Sequence, residues 1–352
     1  MKTYLVTGGA GFIGSNFIIY MLNKHDDVNI INVDALTYAG NLENLKSIEK
    51  DARYTFVHAD ICDEAAIQAV FDKYEVDYVV NFAAESHVDR SISDPDIFVK
   101  TNVLGTVNLL NHAKKAWQTG DDAYREGCKF LQVSTDEVYG SLGAEGFFTE
   151  TTPLDPHSPY SSSKASADLF VKAYADTYKL PVNITRCSNN YGPYQFPEKL
   201  IPLMLNNTLQ HRPLPVYGDG MQIRDWLYVE DHCKAIDMVI SNGKPGQVYN
   251  VGGHNERTNL FIVSAIIDYI KNNVDASVGE QLIKHIEDRK GHDRRYGIDP
   301  EKIKGELGWY PETPFEKGIV ITAEWYLTNK SWMDSITSGD YTKYYEETYG
   351  GR

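Results

Sequence analysis

Tyr160 and Lys164 stand four residues apart in the run Tyr160-Ser161-Ser162-Ser163-Lys164. Residues at that spacing share one face of a helix, so a phenol and an ammonium can enter the same cleft. A free phenol, with a pKa near ~10, is a weak base at neutral pH. A neighbouring positive charge favours its phenolate. Such a phenolate can take a proton from a hydroxyl while hydride leaves the carbon that bears it. On a solvated helix face the same pair does nothing, so the spacing gains weight only beside a redox partner. Upstream, Thr135-Asp136-Glu137 sets a hydroxyl beside two adjacent carboxyls. Adjacent acids can divide acid and base work when their environments separate their pKa values.

The redox partner is suggested near the start of the chain. Gly8-Gly9-Ala10-Gly11-Phe12-Ile13-Gly14 lies between an apolar run, Tyr4 to Thr7, and a helical stripe of Ile13, Phe17 and Met21. Glycines permit a tight turn and let backbone N–H groups approach a pyrophosphate, which the positive end of the following helix favours. Asp34 closes the next apolar run, about 20 residues beyond the last glycine. An acid there binds ribose hydroxyls and repels the extra phosphate of NADP, so NAD is the expected cofactor. Asp60-Ile61 and Phe82-Ala83-Ala84-Glu85-Ser86 end two further apolar runs. A dinucleotide crosses strand ends of this kind. Asp60 is expected at the adenine, and small Ala83 and Ala84 allow close passage.

These groups need a frame that brings strand ends together. Apolar runs at Val28 to Val33, Tyr54 to Val57, Val76 to Phe82, Lys129 to Val133, Val182 to Thr185 and Val248 to Val251 alternate with helical patterns. Continuous apolar runs suit strands buried on both faces. Strand–helix alternation predicts an α/β fold with a Rossmann-like, doubly wound parallel sheet. After Cys187, prolines at 193, 197, 202, 213 and 215 interrupt the chain. They mark a smaller mixed α/β lobe. The expected division gives residues 1–186 and 225–255 to the dinucleotide half, and 187–224 and 256–352 to a substrate lobe. Long helical patterns are read at Asp96 to Trp117 and Ser161 to Tyr178. The Tyr- and Glu-rich stretch Tyr341 to Tyr349 is a docked or a loose tail.

Taken together, the glycine turn, Asp34, Tyr160 with Lys164 and the proline-rich lobe resemble the extended short-chain dehydrogenase/reductase family over nearly the whole chain. Ser134-Thr135-Asp136-Glu137-Val138-Tyr139-Gly140 narrows this, because an acid pair in that register looks like the nucleotide-sugar 4,6-dehydratases. The resemblance implies a lyase that oxidises a sugar at C4, eliminates water across C5 and C6, and returns the hydride to C6. It implies Glu137 as the C5 base, Asp136 as the acid at the C6 oxygen, and Thr135 as a hydrogen-bond partner of the C4 oxygen beside Tyr160. It places Thr101 at the cofactor, and Ser86, His87, Asn189, Asn190, Lys199 and Leu200 at the sugar diphosphate. Pro215 and Tyr217 would flank the base and Arg224 the phosphates. Asn259, Asp293 and Tyr296 would complete the pocket. The resemblance favours dTDP-glucose, on a route towards dTDP-rhamnose, and a homodimer through the two long helices. His87 and His292 also read as ordinary loop histidines.

Bulk properties limit the alternatives. The formal net charge is −15, which argues against a general nucleic-acid or anionic-membrane binder. Cys62, Cys128, Cys187 and Cys233 are scattered, fitting neither a zinc site nor a disulfide framework. No metal is expected. With no signal-like start and no apolar run of the ~20 residues a span needs, a cytoplasmic location is expected. The rivals are dehydration of UDP-glucose, 4-epimerisation or decarboxylation of a nucleotide sugar, and a non-enzymatic NAD-binding regulator. Epimerisation needs no acid pair, decarboxylation should show a carboxylate-binding motif, and a regulator can dispense with Tyr160 and Lys164.

Overall fold

A computed structural model describes residues 1–289 and 291–337. The tail expected at Tyr341 to Tyr349 lies outside the described residues. The central sheet has seven parallel strands: β1 (Lys2–Thr7), β2 (Val28–Asp34), β3 (Tyr54–His58), β4 (Tyr78–Asn81), β5 (Lys129–Thr135), β6 (Val182–Cys187) and β7 (Val248–Val251). Their spatial order is β7-β6-β5-β4-β1-β2-β3. The chain runs outward from β1 through β2 to β3, then restarts at β4 and runs the other way. The crevice between the carboxyl ends of β1 and β4 is therefore the topological switch point, where such sheets bind ligands.

Both faces of the sheet are covered. Phe17 and Met21 on helix Phe12–Lys24 pack with Ile236 and Val239 on helix Val229–Asn242 against one face. Ile67, Leu109, Trp117 and Val171 cover the other. Every residue of β5 and β6 is buried, as the continuous runs require. Polar members of these strands are partnered inside. Lys129 Nζ donates to Val239 O at 3.3 Å and Gly243 O at 2.7 Å, so its ammonium meets the negative end of helix Val229–Asn242. Burial nonetheless lowers its pKa to about 8.

The helical pattern expected over Asp96 to Trp117 is three pieces: Pro95–Phe98, a wide π turn at Val99–Gly105, and Thr106–Trp117. A buried asparagine and a tight glycine account for the break. Asn102 turns inward, its Nδ2 donating to Glu85 O at 3.0 Å and Ser163 Oγ at 2.8 Å. A Cβ on Gly105 would stand 2.5 Å from Ile61 Cδ1. Wide turns of this type recur at functional sites, and this one carries Thr101.

A second apolar core, with Tyr191, Ile201, Trp226, Ile262 and Phe315, holds the smaller lobe. Its sheet sets Ile223–Tyr228 between Asn189–Tyr191 and Glu256–Thr258, while Leu214–Tyr217 pairs with Ile283–Ile286. The division expected between Arg224 and Asp225 falls inside a strand; the chain returns to the large sheet through helix Val229–Asn242 and β7. Ile303 and Trp309, within the stretch expected in the substrate lobe, pack in the large-sheet core.

Candidate active site

A cleft of about 360 Å³ opens at the switch point. The glycine turn forms one side of it, through Gly8, Gly11, Phe12, Ile13 and Gly14. Gly8 has φ +66°, and a Cβ there would stand 2.7 Å from the Ala83 amide nitrogen. A Cβ on Gly14 would collide with the Gly8 carbonyl. Strand, turn and helix can come this close only with glycines. Asp34, Asp60 and Ile61 reach the cleft from the ends of β2 and β3, and Phe82, Ala83, Ala84 and Ser86 from the end of β4. Asp34 accepts from Ala10 N at 2.9 Å and Leu36 N at 2.8 Å, leaving lone pairs on both oxygens for further donors. Burial raises its pKa, and those backbone donors oppose the rise. The cradle and this acid fit a dinucleotide with free ribose hydroxyls.

Helix Pro159–Tyr178 places Tyr160 and Lys164 on the cleft, together with Thr101. Its start is fixed by Pro159 and by a capping box between Ser158 and Ser161. Tyr160 is buried, and it lines the cleft together with Thr135. Burial and then the Glu137 carboxylate push its pKa well above the ordinary phenol value. Lys164 Nζ donates to Val133 O at 2.8 Å, and burial lowers the lysine's own pKa. The lysine therefore sits on the expected face with its ammonium committed to a backbone carbonyl, while burial keeps the proton on the phenol.

Thr135 closes β5 and caps the short turn Asp136–Tyr139, its Oγ1 accepting from Glu137 N at 3.3 Å. Of the two acids that follow, Glu137 is among the residues that line the cleft and Asp136 is not. Asp136 is 1% exposed, its Oδ1 accepting from Thr135 Oγ1 at 3.3 Å. Burial pushes the Asp136 pKa well above the carboxylate range, and the Glu137 and Asp225 carboxylates add to the rise. Burial raises Glu137 too, but three cations, Arg289, Arg224 and Lys199, oppose it.

The residues expected around the substrate fall into two groups. Ser86, Asn189, Asn190 and Lys199 line the same cleft, with Lys199 Nζ donating to Ser86 O at 2.9 Å. The second group packs beyond Glu137. Arg224 lies 4.1 Å over the Tyr296 ring, the Tyr296 hydroxyl donates to Asp293 Oδ2 at 2.6 Å, and Arg224 Nη2 donates to Asp293 O at 2.9 Å. Tyr217 donates to Asp89 Oδ2 at 3.3 Å and sets its ring against His292. Pro215 lies two residues before it on the same strand, Leu200 opens helix Leu200–Leu209, and Asn259 opens helix Asn259–Asn273 with its N–H on Gln222 O. His87 is not at the surface, and His292 stays in a loop with its side chain turned away from solvent. His87 is buried as the N-cap of Val88–Ser93, and the His292 side chain is 5% exposed and paired with Asp288 at 2.6 Å. Burial drives the His292 pKa to about 4.

Sequence reasoning missed Thr37, Gly40, Gln195 and Glu198, which line the cleft, and Arg289, which faces Glu137. They lie in loops with no fixed spacing to the motifs. The available signal was their chemistry, a cation and a carboxylate close in sequence to Asp293 and Lys199. Among the described residues no His, Cys, Asp and Glu group could hold a metal ion.

Residues 5–322 match the family model described as GDP-mannose 4,6 dehydratase. The chain belongs to that family. This agrees with the short-chain dehydrogenase/reductase resemblance. A curated relative from Xanthomonas campestris pv. campestris, named dTDP-glucose 4,6-dehydratase, is 52% identical over 97% of each chain. A crystal structure of dTDP-glucose 4,6-dehydratase from Bacillus anthracis in complex with NAD is 50% identical, with TM-score 0.85 over 96% of this chain and 100% of that one. The Streptomyces venezuelae dTDP-glucose 4,6-dehydratase, also with NAD bound, is 44% identical, with TM-score 0.87 over 95% and 99%.

Proposed function

We infer that this family member converts dTDP-glucose to dTDP-4-keto-6-deoxyglucose and water with NAD as cofactor. The observation that carries the reading is the adjacent pair of buried Asp136 and half-buried Glu137, beside Tyr160 and Thr135 at a dinucleotide cleft, in a chain half identical to enzymes of that name. Gly8, Gly11 and Gly14 hold the pyrophosphate, Asp34 the adenosine ribose, and Asp60 and Ile61 the adenine. Ala83, Ala84 and Thr101 border the path to the reacting end. Bound there, NAD supplies the acceptor for the C4 hydride and the donor that returns it at C6, so no external reductant is consumed.

The protein's own groups move the protons. Thr135 and Tyr160 share the C4 hydroxyl, and Tyr160 removes its proton when a positive charge stands beside the ring. Oxidation at C4 makes the C5 proton acidic. Glu137 takes it, since its three facing cations favour its ionised form. Asp136, held protonated by burial and by two neighbouring carboxylates, protonates the departing C6 oxygen. Each transfer is worth about 10²- to 10⁴-fold. Lys199, Asn189 and Arg224 receive the diphosphate, with Arg224 offering a planar fork. Tyr217 and Pro215 flank the base.

Purified protein given dTDP-glucose without reductant should form a product with the alkali-induced absorbance of a 4-keto-6-deoxy sugar. UDP-glucose run in parallel sets the nucleotide preference. NAD-loaded, folded protein that makes no such product from either would remove the reading. We further propose a cytoplasmic homodimer. All four cysteines are free, and among the described residues no helix is long and apolar enough to cross a membrane. Leu104, Leu169 and Phe170 are exposed on the helices expected to pair.

A further inference from the structure

Residues Pro193 to Lys199, tied to the substrate lobe by Tyr194 against Trp325 and Trp332 and by the Tyr326 hydroxyl on Gln195 O, also reach the dinucleotide half, where they meet three separate segments. Asn16 Nδ2, on the helix after the glycine turn, donates to Pro193 O at 3.0 Å. Tyr38, in the loop after β2, donates its hydroxyl to Glu198 Oε1 at 3.0 Å and sets its ring edge-on to Phe196 at 5.7 Å. Arg90, from the stretch after β4, lies 3.8 Å over the Tyr38 ring with its Nε 3.6 Å from Glu198 Oε2. Thr37 and Gly40 on one side, and Phe196 and Glu198 on the other, line the same cleft as Gly8 and Tyr160. The Glu198 side chain is 1% exposed. A carboxylate buried so far from water is costly unless it is paired and hydrogen-bonded, and here both partners come from the other lobe. Tyr38 and Phe196 pack outside the apolar cores, so the folding of either lobe does not account for this contact.

We propose that Tyr38, Arg90 and Glu198 form a latch that fastens the strap Pro193–Lys199 across the cleft and holds the dinucleotide there through the whole catalytic cycle. The proposal rests on the reading of the cleft as an NAD site. It answers a demand of that chemistry. Hydride taken from C4 must be given back at C6 of the same sugar. A cofactor lost between those steps would leave a protein unable to finish the turnover. The latch atoms touch the strap and the loop beyond Asp34, so Tyr38, Arg90 and Glu198 are positioning residues and not catalytic ones.

The test compares the full-length protein with Tyr38→Phe, which removes one hydroxyl, and Glu198→Gln, which keeps the shape and removes the charge. Bound NAD is displaced by excess labelled NAD and its release rate followed. NADH in the ultrafiltrate is measured during turnover of dTDP-glucose. Each variant should release NAD about tenfold faster, the size expected for a lost buried hydrogen bond to a charged group. Each should also leak NADH that wild type retains. The double variant should be little worse than either single one, because both changes break one contact. Release rates and leakage within twofold of wild type would overturn the latch. So would faster release only in variants whose NAD-free melting temperature has fallen in step, since that outcome marks a general loosening. Wild-type protein that binds no NAD would remove the underlying reading and the latch with it.

Discussion

At the scale of single residues, the decisive contrast is between two adjacent acids in different surroundings. Asp136 is driven up by burial and by the carboxylates of Glu137 and Asp225, whereas the burial that raises Glu137 is opposed by Arg289, Arg224 and Lys199. Folding therefore leaves Asp136 with a proton that the unfolded chain, with an aspartate pKa near ~3.9, has already released. A proton bound more tightly in the folded state means that stability falls as pH rises from that unfolded value towards the folded one, and the full penalty remains above both. Asp136→Asn removes the penalty. Its melting temperature should match wild type below about pH 4 and exceed it at neutral pH, while product formation falls about 10²- to 10⁴-fold. Equal melting temperatures across that range would sink the assignment of Asp136 as a protonated acid. Glu137→Gln should still oxidise the sugar and then stall, giving a transient NADH absorbance without dehydrated product; turnover at the wild-type rate would remove its role at C5. Both residue types and their adjacency were legible in the sequence. Their separation was not, because it depends on Arg224, Arg289 and Asp225, which the substrate lobe brings from beyond residue 220.

At the scale of elements, the glycine turn does two jobs that substitutions can separate. Gly8 needs its positive φ and lies against the Ala83 backbone, so it serves strand packing. Gly11 has φ −78°, and the nearest atom to an added Cβ is the Gly8 carbonyl at 3.2 Å, so it mainly keeps the cleft open. Gly8→Ala should lower the melting temperature of the NAD-free protein, since the left-handed conformation alone costs about 1–2 kcal/mol before any backbone shift. Gly11→Ala should melt near wild type yet bind NAD at least about tenfold more weakly, because a methyl group would hold the pyrophosphate off the turn. If Gly11→Ala binds NAD normally, the pyrophosphate does not sit on this turn. The motif was legible because strand, turn and helix follow one another locally. The π turn at Val99–Gly105 was not, since its cause is Asn102 reaching Glu85 and Ser163, contacts that a helical periodicity does not register.

At the scale of the whole molecule, the large sheet was legible from its continuous apolar runs, while the strand that spans the expected division at 224/225 was not. Strand Ile223–Tyr228 serves the small sheet and then delivers helix Val229–Asn242 to the large one, so one segment belongs to both lobes and composition does not change where the lobe does. What remains unburied bears on assembly. Leu104 is 58% exposed on the π turn that carries Thr101, and Leu169 and Phe170 are 57% and 44% exposed on the helix that carries Tyr160 and Lys164. The Tyr174 hydroxyl donates to Asn111 Oδ1 at 2.6 Å, which ties helix Pro159–Tyr178 to helix Thr106–Trp117 beside them. Two copies meeting about a two-fold axis would bury this exposed surface against itself, and a stable contact needs about 1,000 Å² or more. Symmetry doubles the effect of any change there: Leu169→Glu places two carboxylates in one interface. Sedimentation of wild type at micromolar concentration should give twice the chain mass, and Leu169→Glu should give the chain mass with an unchanged far-ultraviolet spectrum. Because an exposed leucine stabilises nothing in an isolated chain, the same substitution in a true monomer should alter neither sedimentation nor melting. Wild type sedimenting as a monomer throughout would therefore assign these three side chains to solvent and remove the dimer.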